Sequence, residues 1–520
     1  MKLTELFEQA GAISIEMFGA ADTCGLLTAD QNLRVESARV TSVSTKIQHG
    51  DIFVCIEGLR RDGNDFVAEA VERGASVVVS ANPLKAATAL RALGKPCALI
   101  GVENARKSLS RLCDAANGYP SRRMRFVAVT GTNGKTSVTV MLKSIFEAAM
   151  HKCGLVGTIA CWSGAERLNY DSTDPLANMT TPDPEQLYKL LSKMADDGVE
   201  YVFMEASSHA LALEKLAPIQ FDAAIFTNLS AEHLDFHGDL ENYLEAKLRL
   251  FEHTPLAILN ADDVSYRKVF THLKGKCRVI SCSCNGAAAD YRAQSVRLKG
   301  MRGFEYQLVS LKSILRLSGR LAGNFAVINS LQACAAAFEL GVPTSAIVDG
   351  IASLEVICGR MEEIRTDMET DFSVFIDYAH TPHALECLLM SARPLVSQGA
   401  RLVLLFGCGG DRDRAKRAPM GRIASLLADK IIVTSDNSRT ENPEAIINDV
   451  MSGVLATADC VVIPGREDAI VYAVRTAMSG DVILLAGKGH ESYELDASGR
   501  RPFDERKIVK EAVMKYFKAD

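Results

Sequence analysis

Short apolar runs alternate with amphipathic segments along most of the chain. In the first part, three apolar runs rich in β-branched residues predict buried strands: DIFVCIEG (51–58), ASVVVS (75–80) and CALIGV (97–102). DFVAEAVERGA (65–75) and ENARKSLSRLCDAANG (103–118) have apolar positions three and four residues apart, which predicts helices. The N-terminal MKLTELFEQAGAISIEMF (1–18) has acidic residues within its apolar pattern, which predicts an amphipathic helix rather than a signal peptide.

The same alternation continues to the end of the chain. Further apolar runs predict strands at RFVAVT (125–130), YVFMEAS (201–207), DAAIFTN (222–228), PLAILNA (255–261), RLVLLFG (401–407), KIIVTSD (430–436), CVVIPG (460–465) and DVILLAGKG (481–489). Strands that alternate with helices such as PEAIINDVMSGVL (443–455) predict parallel α/β sheets, and the last part predicts a doubly wound sheet. We expect three domains, at 1–121, 122–356 and 357–520, with YPSRRMR (119–125) as the first linker.

Composition narrows the functional classes. The 520 residues are enough for several domains of about 150 residues each. With 58 basic and 64 acidic side chains the net charge is −6, which argues against nucleic-acid binding. No apolar run reaches about 18 residues, so we expect no membrane insertion. The 14 cysteines lack the spacing of a disulfide framework, which predicts a reduced, cytoplasmic location.

The strongest local motif is VTGTNGKTS (129–137), between a predicted strand and the helical run SVTVMLKSIFEAAM (137–150). Gly131 and Gly134 allow backbone N–H groups to turn toward an anion, and the N-terminus of the helix adds its positive dipole. Lys135 would reach the β- and γ-phosphates of a nucleotide, and the Thr136 hydroxyl would bind Mg²⁺. The longer GxxxxGK[ST] pattern is not met, because its first glycine would be Val129. The alternative is an ordinary glycine-rich turn with a solvent-facing lysine.

Charged and polar residues follow several other predicted strands. Glu205 ends one strand, and the next strand is followed by Asn228, Glu232, His233, Asp235 and His237. Because ligands bind at the carboxyl ends of strands in open α/β sheets, Glu205 is a candidate metal ligand. Two histidines beside acids after the next strand favour a functional role for that segment. An isolated histidine there would more often be structural. From its pattern alone, Lys247 in YLEAKLRLF is a surface lysine on a helix, without a role.

Three loops in the last part of the chain also follow strands. They carry Arg412 and Arg414, then Asp436, Asn437 and Arg439, and finally Lys488, His490 and Glu491. Charges of both signs at neighbouring strand ends favour a zwitterionic ligand over a purely anionic one. The alternative is that these side chains only keep the loops solvated.

These motifs occur in an order that resembles the Mur ligase family, and in particular its members that add the third amino acid of the peptidoglycan precursor. The motifs that carry the resemblance are HGDIFVCIEG, DGNDF, GTNGKTS, TTPDP, MEASSHAL, FDAAIFTNLSAEHLDFHG, YLEAKLRLF, LNADD, GRME, DYAHTPHAL, GCGGDRDRAKR, SDNSRTENP and AGKGHE. The resemblance implies an α/β fold of three domains: an N-terminal uridine-nucleotide domain, a central P-loop ATPase domain and a C-terminal Rossmann-like domain for the amino acid.

The resemblance also implies the reaction. ATP phosphorylates the D-glutamyl carboxylate of UDP-N-acetylmuramoyl-L-alanyl-D-glutamate, and the amine of the third amino acid then displaces phosphate. Because the loop Asp436-Asn437-Ser438-Arg439 offers a cation for a second carboxylate, the expected amino acid is meso-2,6-diaminopimelate. The implied enzyme is a cytoplasmic monomer that uses ATP and Mg²⁺.

Residue roles are carried over from the family by position. For ATP they are Gly131, Thr132, Asn133, Gly134, Lys135, Thr136, Ser137, Asn329, Arg360 and Asp377. For the UDP-muramoyl dipeptide they are Ser44, Thr180, Thr181, Ser207 and Lys215. For the amino acid they are Arg412, Asp436, Asn437, Ser438, Arg439, Gly487 and Glu491. The metal ligands are Thr136, Glu205, His233 and an N6-carboxylated Lys247, and Lys135, Lys247 and His233 are the catalytic residues.

Some positions depart from the family pattern. The departures are Val43, Thr45, Leu213, Lys215, Ala326, Cys358 and Ser438. Most of them lie at positions for the nucleotide sugar, so they bear on the UDP-sugar acceptor. The alternative functions are a ligase of the same family that adds L-lysine, or a paralogous ligase with another acceptor, such as a folylpolyglutamate synthetase. A non-catalytic scaffold is a third reading, but it would not need Lys135, Glu205, His233 and Lys247.

Overall fold

The computed structural model describes residues 8–18, 39–58, 61–168, 179–366 and 368–517. The chain forms two compact units. The first comprises Met1–Ala128, His151–Ala224 and Ala246–Pro255, and the second comprises Val129–Met150, Ile225–Glu245 and Leu256–Asp520. No helix in these described ranges is both long and apolar enough to cross a membrane.

Strands and helices alternate as the sequence predicts. The strands are β1 (Ala12–Phe18), β2 (Val40–Thr41), β3 (Ile52–Cys55), β4 (Val77–Ser80), β5 (Cys97–Val102), β6 (Arg125–Thr130), β7 (Cys153–Val156), β8 (Cys161–Ser163), β9 (Glu166–Leu168), β10 (Tyr201–Glu205), β11 (Ala223–Phe226), β12 (Leu256–Asn260), β13 (Arg278–Ser283), β14 (Tyr291–Leu298), β15 (Phe304–Ser310), β16 (Ile314–Gly319), β17 (Glu362–Glu363), β18 (Ser373–Asp377), β19 (Leu402–Phe406), β20 (Lys430–Val433), β21 (Cys460–Val462), β22 (Val482–Ala486), β23 (Tyr493–Asp496) and β24 (Gly499–Pro502). The helices are α1 (Val67–Glu72), α2 (Pro83–Leu93), α3 (Ala105–Ala116), α4 (Lys135–Ala148), α5 (Pro184–Asp196), α6 (Ser208–Ala212), α7 (Leu234–His237), α8 (Leu240–Leu248), α9 (Tyr266–Leu273), α10 (Phe325–Glu339), α11 (Thr344–Ser353), α12 (Pro382–Ala392), α13 (Arg417–Leu427), α14 (Pro443–Met451), α15 (Arg466–Arg475) and α16 (Glu505–Tyr516).

The first unit begins with a sheet in the order β1-β5-β4-β3-β2. Strands β2 to β5 are parallel, as the apolar runs predict, and β1 is antiparallel to β5. The core on one face contains Phe53, Val78 and Leu99, which come from three neighbouring strands. The same unit contains β10, which pairs in parallel with β7, and β7, β8 and β9, which form an antiparallel meander.

The prediction of a helix at the N-terminus is wrong for its second half. Ala12–Phe18 is a strand, and residues 1–7 lie outside the described ranges. Phe18 is buried against the sheet, whereas Ile13 and Ile15 are exposed. The backbone of β1 pairs along β5, as between Ile15 and Ile100. This tertiary pairing, together with the strand preference of β-branched isoleucine, outweighs the helical spacing of the apolar residues.

In the second unit, β12, β13 and β14 are parallel, and β14, β15 and β16 are antiparallel. The last sheet has the order β17-β18-β22-β19-β20-β21, and only β17 is antiparallel to its neighbour. Along β19, Leu402, Leu404 and Phe406 enter the core on one face, and Val403 and Leu405 enter the core on the other. A sheet buried on both faces explains why its strands are continuous apolar runs.

Strand order in this last sheet determines where its loops meet. Strand β22 lies between β18 and β19, and β20 lies beside β19. These strands are parallel, so the loops after Asp377, Phe406, Val433 and Ala486 leave the sheet at one edge. The predicted amino-acid residues are on these loops, at the edge where ligands bind in such folds.

Candidate active site

The predicted phosphate loop connects β6 to α4. Gly134, with φ of 87°, is the N-cap residue of α4, and Gly131 has φ of 139°. Both values lie in the region that favours glycine. A Cβ atom at Gly131 would lie 1.9 Å from Oγ1 of Thr227, so this position also lacks space for a side chain. The Lys135 ammonium lies over the loop and donates to the carbonyl oxygens of Gly131 (2.9 Å) and Thr132 (2.8 Å).

One side of the phosphate loop packs against the segment that follows β11. The backbone N–H of Thr132 donates to the carbonyl oxygen of Asn228 (2.9 Å), and the N–H of Asn133 donates to the side-chain oxygen of Asn228 (2.9 Å). Within the described ranges, Nδ2 of Asn133 and Oγ of Ser230 are buried and have no hydrogen-bond partner. Buried polar atoms are almost always paired, so these two are suited to a ligand at the loop.

Two further ATP residues carried over from the family reach this loop. Asn329 of α10 is buried, and a Cβ atom at Gly134 would lie 2.7 Å from its Oδ1. Arg360 donates to the hydroxyl of Thr136 (3.1 Å), and its guanidinium lies 4.9 Å from the centre of the Tyr378 ring.

Asp377 ends β18 close to Arg360. Its carboxylate accepts the backbone N–H groups of Met361 and Ala379, both at 2.8 Å. Burial raises the pKa of Asp377, and the charge of Arg360 opposes this effect. The phosphate loop is therefore bordered directly by Asn329 and Arg360. Asp377 borders it indirectly, because it binds the backbone of Met361, the residue after Arg360.

A second pair joins the loop after β18 to the loop after β11. Nε2 of His380 lies 3.2 Å from Oε1 of Glu232, and Nδ1 of His380 lies 2.7 Å from the carbonyl oxygen of Tyr378. Burial raises the pKa of Glu232, but the hydrogen bond and charge of His380 outweigh burial. The charges of His233 and Lys135 act in the same direction, so this pKa lies well below its ordinary value.

Three of the predicted acceptor residues, Thr180, Thr181 and Ser207, form a cluster around Glu205 in the first unit. The Glu205 carboxylate accepts the backbone N–H (2.9 Å) and the hydroxyl (3.0 Å) of Thr158. That hydroxyl lies 3.0 Å from the hydroxyl of Thr180. The Thr181 hydroxyl donates to the carbonyl oxygen of Glu205 (2.8 Å), and Ser207 caps α6 by accepting from the backbone N–H of Ala210.

Lys215 and Ser44 lie on either side of this acceptor segment in the chain. Lys215 is buried and pairs with Asp183 (2.7 Å). Ser44 is also buried, and its hydroxyl donates to Glu69 (2.7 Å). The strand just before Ser44 reaches the acceptor segment, because Glu185 accepts the hydroxyl of Thr41 (2.9 Å).

Two candidate metal ligands have structural features that their sequence pattern does not predict. Lys247 is only 1% exposed, so the reading of a surface lysine is wrong, because this side of α8 faces the core. His233 is the N-cap residue of α7 and has φ of 57°, a left-handed conformation that is costly for a residue with a Cβ atom. Strained backbone of this kind is concentrated at functional sites.

The structure does not assemble a metal site from its acidic, histidine and cysteine side chains alone. Within the described ranges, no three such residues form a group that could hold an ion. Thr136 and His233 belong to the second unit, and Glu205 and Lys247 belong to the first. Carboxylate and hydroxyl oxygens are the ligands that Mg²⁺ prefers, so Glu205 and Thr136 fit this ion by their chemistry.

Six of the seven predicted amino-acid residues lie on the loops after β20 and β22, and Arg412 lies on the loop after β19. A Cβ atom at Gly487 would lie 2.9 Å from Oδ2 of Asp436. Oδ1 of Asn437 accepts from the ammonium of Lys488 (3.0 Å) and from the backbone N–H of Leu495 (3.0 Å). These two donors fix the orientation of the Asn437 amide, so its Nδ2 points to Glu491 and donates to Oε2 at 2.7 Å.

Electrostatics in this site follow from buried charges of both signs. Lys488 is fully buried and lies 3.4 Å from Asp436. Burial raises the pKa of Asp436, but the charges of Lys488 and Arg466 outweigh burial and hold it below its ordinary value. The pKa of Glu491 is raised, mainly by burial and then by the nearby charge of Asp436.

Arg412 and Arg439 border one glycine of the loop after β19. A Cβ atom at Gly409 would lie 3.0 Å from Nη1 of Arg439 and 3.9 Å from Cγ of Arg412. Nη1 of Arg439 donates to the carbonyl oxygen of Gly410 (2.8 Å). Ser438 is buried beside them in the same loop as Arg439. All the predicted amino-acid residues therefore lie on three neighbouring loops at one edge of the sheet.

Some residues of these sites were not assigned a role from the sequence. Thr158 binds the Glu205 carboxylate twice, His380 contacts Glu232, and Lys488 holds Asn437. The sequence gives only a weak indication that Thr158 and His380 belong to a site, namely that each follows the end of a strand. Lys488 was recognised as a charged loop residue, but its complete burial is visible only in the folded chain.

Comparison with known proteins agrees with the fold and the motifs. Three family models match in order: "Mur ligase family, catalytic domain" at 38–113, "Mur ligase middle domain" at 129–337 and "Mur ligase, glutamate ligase domain" at 359–489. A UDP-N-acetylmuramoyl-L-alanyl-D-glutamate--2,6-diaminopimelate ligase of Clostridium acetobutylicum is 37% identical over 497 residues, which is 95% of this chain and 97% of that protein.

Solved structures give the same result at lower identity. A UDP-N-acetylmuramoyl-L-alanyl-D-glutamate--2,6-diaminopimelate ligase is 29% identical with a TM-score of 0.63, covering 96% of this chain and 100% of that one. A Mycobacterium tuberculosis folylpolyglutamate synthase, solved with ADP and AMPPCP, is 18% identical with a TM-score of 0.60, covering 80% and 95%. This second likeness shows a shared fold alone. Because the family matches extend over most of the sequence and a relative is more than a third identical along nearly all of it, this chain belongs to the Mur ligase family.

Proposed function

We propose that this protein is an ATP-dependent amide ligase of peptidoglycan synthesis that joins meso-2,6-diaminopimelate to UDP-N-acetylmuramoyl-L-alanyl-D-glutamate. The observation that carries the proposal is the cluster of Arg412, Asp436, Asn437, Arg439 and Glu491 at one sheet edge, in a chain with an intact phosphate loop. Relatives that carry the name of this activity are 35–37% identical to nearly the whole chain. We expect the reaction in the cytoplasm and a monomeric enzyme.

The chemistry requires activation of a carboxylate. An oxygen of the D-glutamyl carboxylate forms a bond to the γ-phosphorus of ATP, and the bond from that phosphorus to ADP breaks. The amine of diaminopimelate then attacks the acyl carbon, and phosphate leaves as the amide forms and the nitrogen loses a proton. Positioning and charge stabilisation supply most of the catalysis in phosphoryl transfer.

The phosphate loop is suited to the first step. The N-terminus of α4 and the N–H groups around Gly131 and Gly134 favour phosphate oxygens. We propose that the ammonium of Lys135 binds the β- and γ-phosphates in place of the carbonyl oxygens that it now contacts. Gly131 to Ser137, with Asn329, Arg360 and Asp377, would then form the ATP site.

We propose Thr136, Glu205, His233 and a carboxylated Lys247 as the residues that hold Mg²⁺. When bound, the ion neutralises charge on the phosphates. The unprotonated amine of Lys247 would add to the carbon of CO₂ and lose a proton, which gives a carbamate. Supporting observations are the near-complete burial of Lys247 and the two hydrogen bonds that orient Glu205.

For the acceptor we propose contacts with Ser44, Thr180, Thr181, Ser207 and Lys215. In the amino-acid site, Arg412 and Arg439 would each bind one carboxylate, while Glu491 would bind the far ammonium, with Asp436, Asn437, Ser438 and Gly487 completing the site. We propose domains at 1–121, 122–356 and 357–520, and each match to a family model falls within one of them.

A direct assay tests the proposal. Purified protein is incubated with ATP, Mg²⁺ and UDP-N-acetylmuramoyl-L-alanyl-D-glutamate, with either diaminopimelate or L-lysine, and both phosphate and the nucleotide product are measured. Release of phosphate together with a tripeptide product that contains diaminopimelate is expected. Preferential use of L-lysine would reassign the amino acid, and no product with either would contradict the proposed ligase.

A further inference from the structure

A fully buried arginine lies beneath the two loops that carry Arg412 and Arg439. Arg417, in the first turn of α13, is 1% exposed. Nη2 of Arg417 donates to Oε1 of Glu441 (2.9 Å), and Nη1 donates to Oε2 (3.1 Å), so the guanidinium binds the carboxylate with both nitrogens. Such paired contacts fix geometry as well as charge.

The same guanidinium also binds two other groups. Nη2 of Arg417 lies 3.3 Å from the carbonyl oxygen of Gly409, and Nη1 lies 2.9 Å from Asp449 of α14. Gly409 is on the loop after β19, and Glu441 is on the loop after β20. Arg417 therefore joins the backbone of one loop to a side chain of the other.

Other contacts between the loops converge on this pair. The backbone N–H of Asp411 donates to Oε1 of Glu441 (2.6 Å), and the backbone N–H of Thr440 donates to Oδ2 of Asp411 (3.0 Å). The N–H of Gly410 donates to the carbonyl oxygen of Asn437 (2.9 Å). A Cβ atom at Gly410 would lie 1.9 Å from the carbonyl oxygen of Ser438, so the two backbones are in tight contact.

Each loop contains a non-glycine residue in a left-handed conformation next to these contacts. Asp411 has φ of 51° and Arg439 has φ of 53°. Conformations of this kind persist only where surrounding interactions impose them. In addition, Arg412 and Arg439 are both cations on the borders of Gly409, so they repel one another. Without a connection between the loops, this repulsion favours their separation, and the two strained backbones would be free to relax.

We propose that Arg417 and Glu441 are positioning residues that set the separation of Arg412 and Arg439, and that they thereby select an amino acid with two carboxylates. This inference rests on the proposed function. In that function, neither Arg417 nor Glu441 contacts the bound amino acid. Arg417 is buried below the loops, and Glu441 acts through Arg417 and the backbone of Asp411.

Steady-state kinetics with Arg417→Met and Glu441→Gln test the inference. A small displacement of a positioned group can cost up to about 100-fold, so we expect KM for diaminopimelate to rise about 10- to 100-fold. The KM values for ATP and for the UDP-muramoyl dipeptide should stay within about twofold, since the phosphate loop is not involved. The ratio of kcat/KM for diaminopimelate to that for L-lysine should fall, because L-lysine has only one carboxylate.

Two matched variants separate positioning from general damage. Arg401 also binds a buried carboxylate, since its Nη2 (2.6 Å) and Nε (3.1 Å) both donate to Oδ2 of Asp481. Both of these residues precede strands and lie at the opposite edge of the same sheet. Arg401→Met should lower thermal stability and leave KM for diaminopimelate unchanged. Arg414 binds Glu441 from solvent (2.9 Å), where an ion pair contributes little, so Arg414→Met should change neither quantity appreciably.

The outcomes distinguish the inference from the function on which it rests. A wild-type enzyme that does not use diaminopimelate overturns both. The inference alone is overturned if the wild type is active and the folded Arg417→Met and Glu441→Gln variants keep its KM for diaminopimelate. It is also overturned if the KM values for diaminopimelate, ATP and the UDP-muramoyl dipeptide rise equally in these variants. If Arg417→Met does not fold, Glu441→Gln decides, because an amide retains the shape of the carboxylate.

Discussion

In the phosphate loop every residue from Gly131 to Ser137 comes from one stretch of chain, whereas the proposed amino-acid site takes its residues from three loops. The phosphate loop contains its own turn glycines, and its lysine lies on its own backbone. In the amino-acid site, Asn437 is held by Lys488 and Leu495, and the loops of Arg412 and Arg439 are held by Arg417 and Glu441. The geometry of the phosphate loop is therefore determined by a local motif, whereas that of the proposed amino-acid site depends on buried charged residues that are distant in sequence.

This difference predicts how each site fails when it is changed. A defect in the phosphate loop would remove a group that we propose acts on the reacting phosphates, so the rate should fall and the stability of the fold should not. A defect among the buried charges moves a binding group and also weakens the fold, so affinity for one substrate and stability should change together.

The largest effect is expected for Lys135→Ala. Its ammonium is the one cation of the phosphate-loop motif and would bind the phosphates between which a bond breaks. Removal of such a group should lower kcat by about 10³-fold or more. Thermal unfolding should be nearly unchanged, since the side chain is only partly buried over the loop. Turnover close to that of the wild type would contradict the ATP site.

Lys247→Ala should also be almost inactive if the carbamate is required. A short carboxylic acid in the buffer should restore part of the activity to this variant and none to Lys135→Ala, because the acid replaces the carbamate oxygens. Mass spectrometry of gently handled wild-type protein should show the added CO₂. Full activity of Lys247→Ala would assign the buried lysine to the core instead.

An intermediate effect is expected for Arg439→Ala. Its guanidinium would bind the second carboxylate of diaminopimelate, so KM for this amino acid should rise about 100-fold. The kinetics with L-lysine should change much less, and the KM for ATP should not change. Unaltered use of diaminopimelate by Arg439→Ala would show that the cation for the second carboxylate lies elsewhere.

The sequence predicts local features of both sites and misses their non-local support. Apolar runs alone predict β3 to β5, β19, β20 and β22, because a strand that is buried on both faces of its sheet has apolar residues at consecutive positions. The left-handed glycines of the phosphate loop follow from its motif. By contrast, Arg417 looks like any other cation in GCGGDRDRAKR, and nothing in that run distinguishes a buried arginine from exposed Arg414.

Two errors have the same physical origin. Residues 12–18 have helical spacing but form a strand, because the free edge of β5 offers backbone pairing. Lys247 has the pattern of a surface residue, yet it is buried because its side of α8 faces the core. In both cases a contact distant in sequence outweighs the local preference, which no pattern within a short window can reveal.

The smallest effect concerns the pH dependence of stability at Glu441. Hydrogen bonds from Arg417, aided by the backbone N–H of Asp411, lower the pKa of Glu441 from 4.5 to about 2. A carboxyl whose pKa is lowered by folding stabilises the protein fully above its unfolded value, and this stabilisation is lost as the pH falls through the folded value. The loss should therefore extend from about pH 4.5 down to about pH 2.

Glutamine cannot ionise, so Glu441→Gln should lack this contribution at every pH. The difference between its thermal midpoint and that of the wild type should be constant above about pH 5 and shrink as the pH falls further. A Glu441→Gln difference that is the same at low and neutral pH would mean that the Arg417–Glu441 contact does not hold the two loops through its charge.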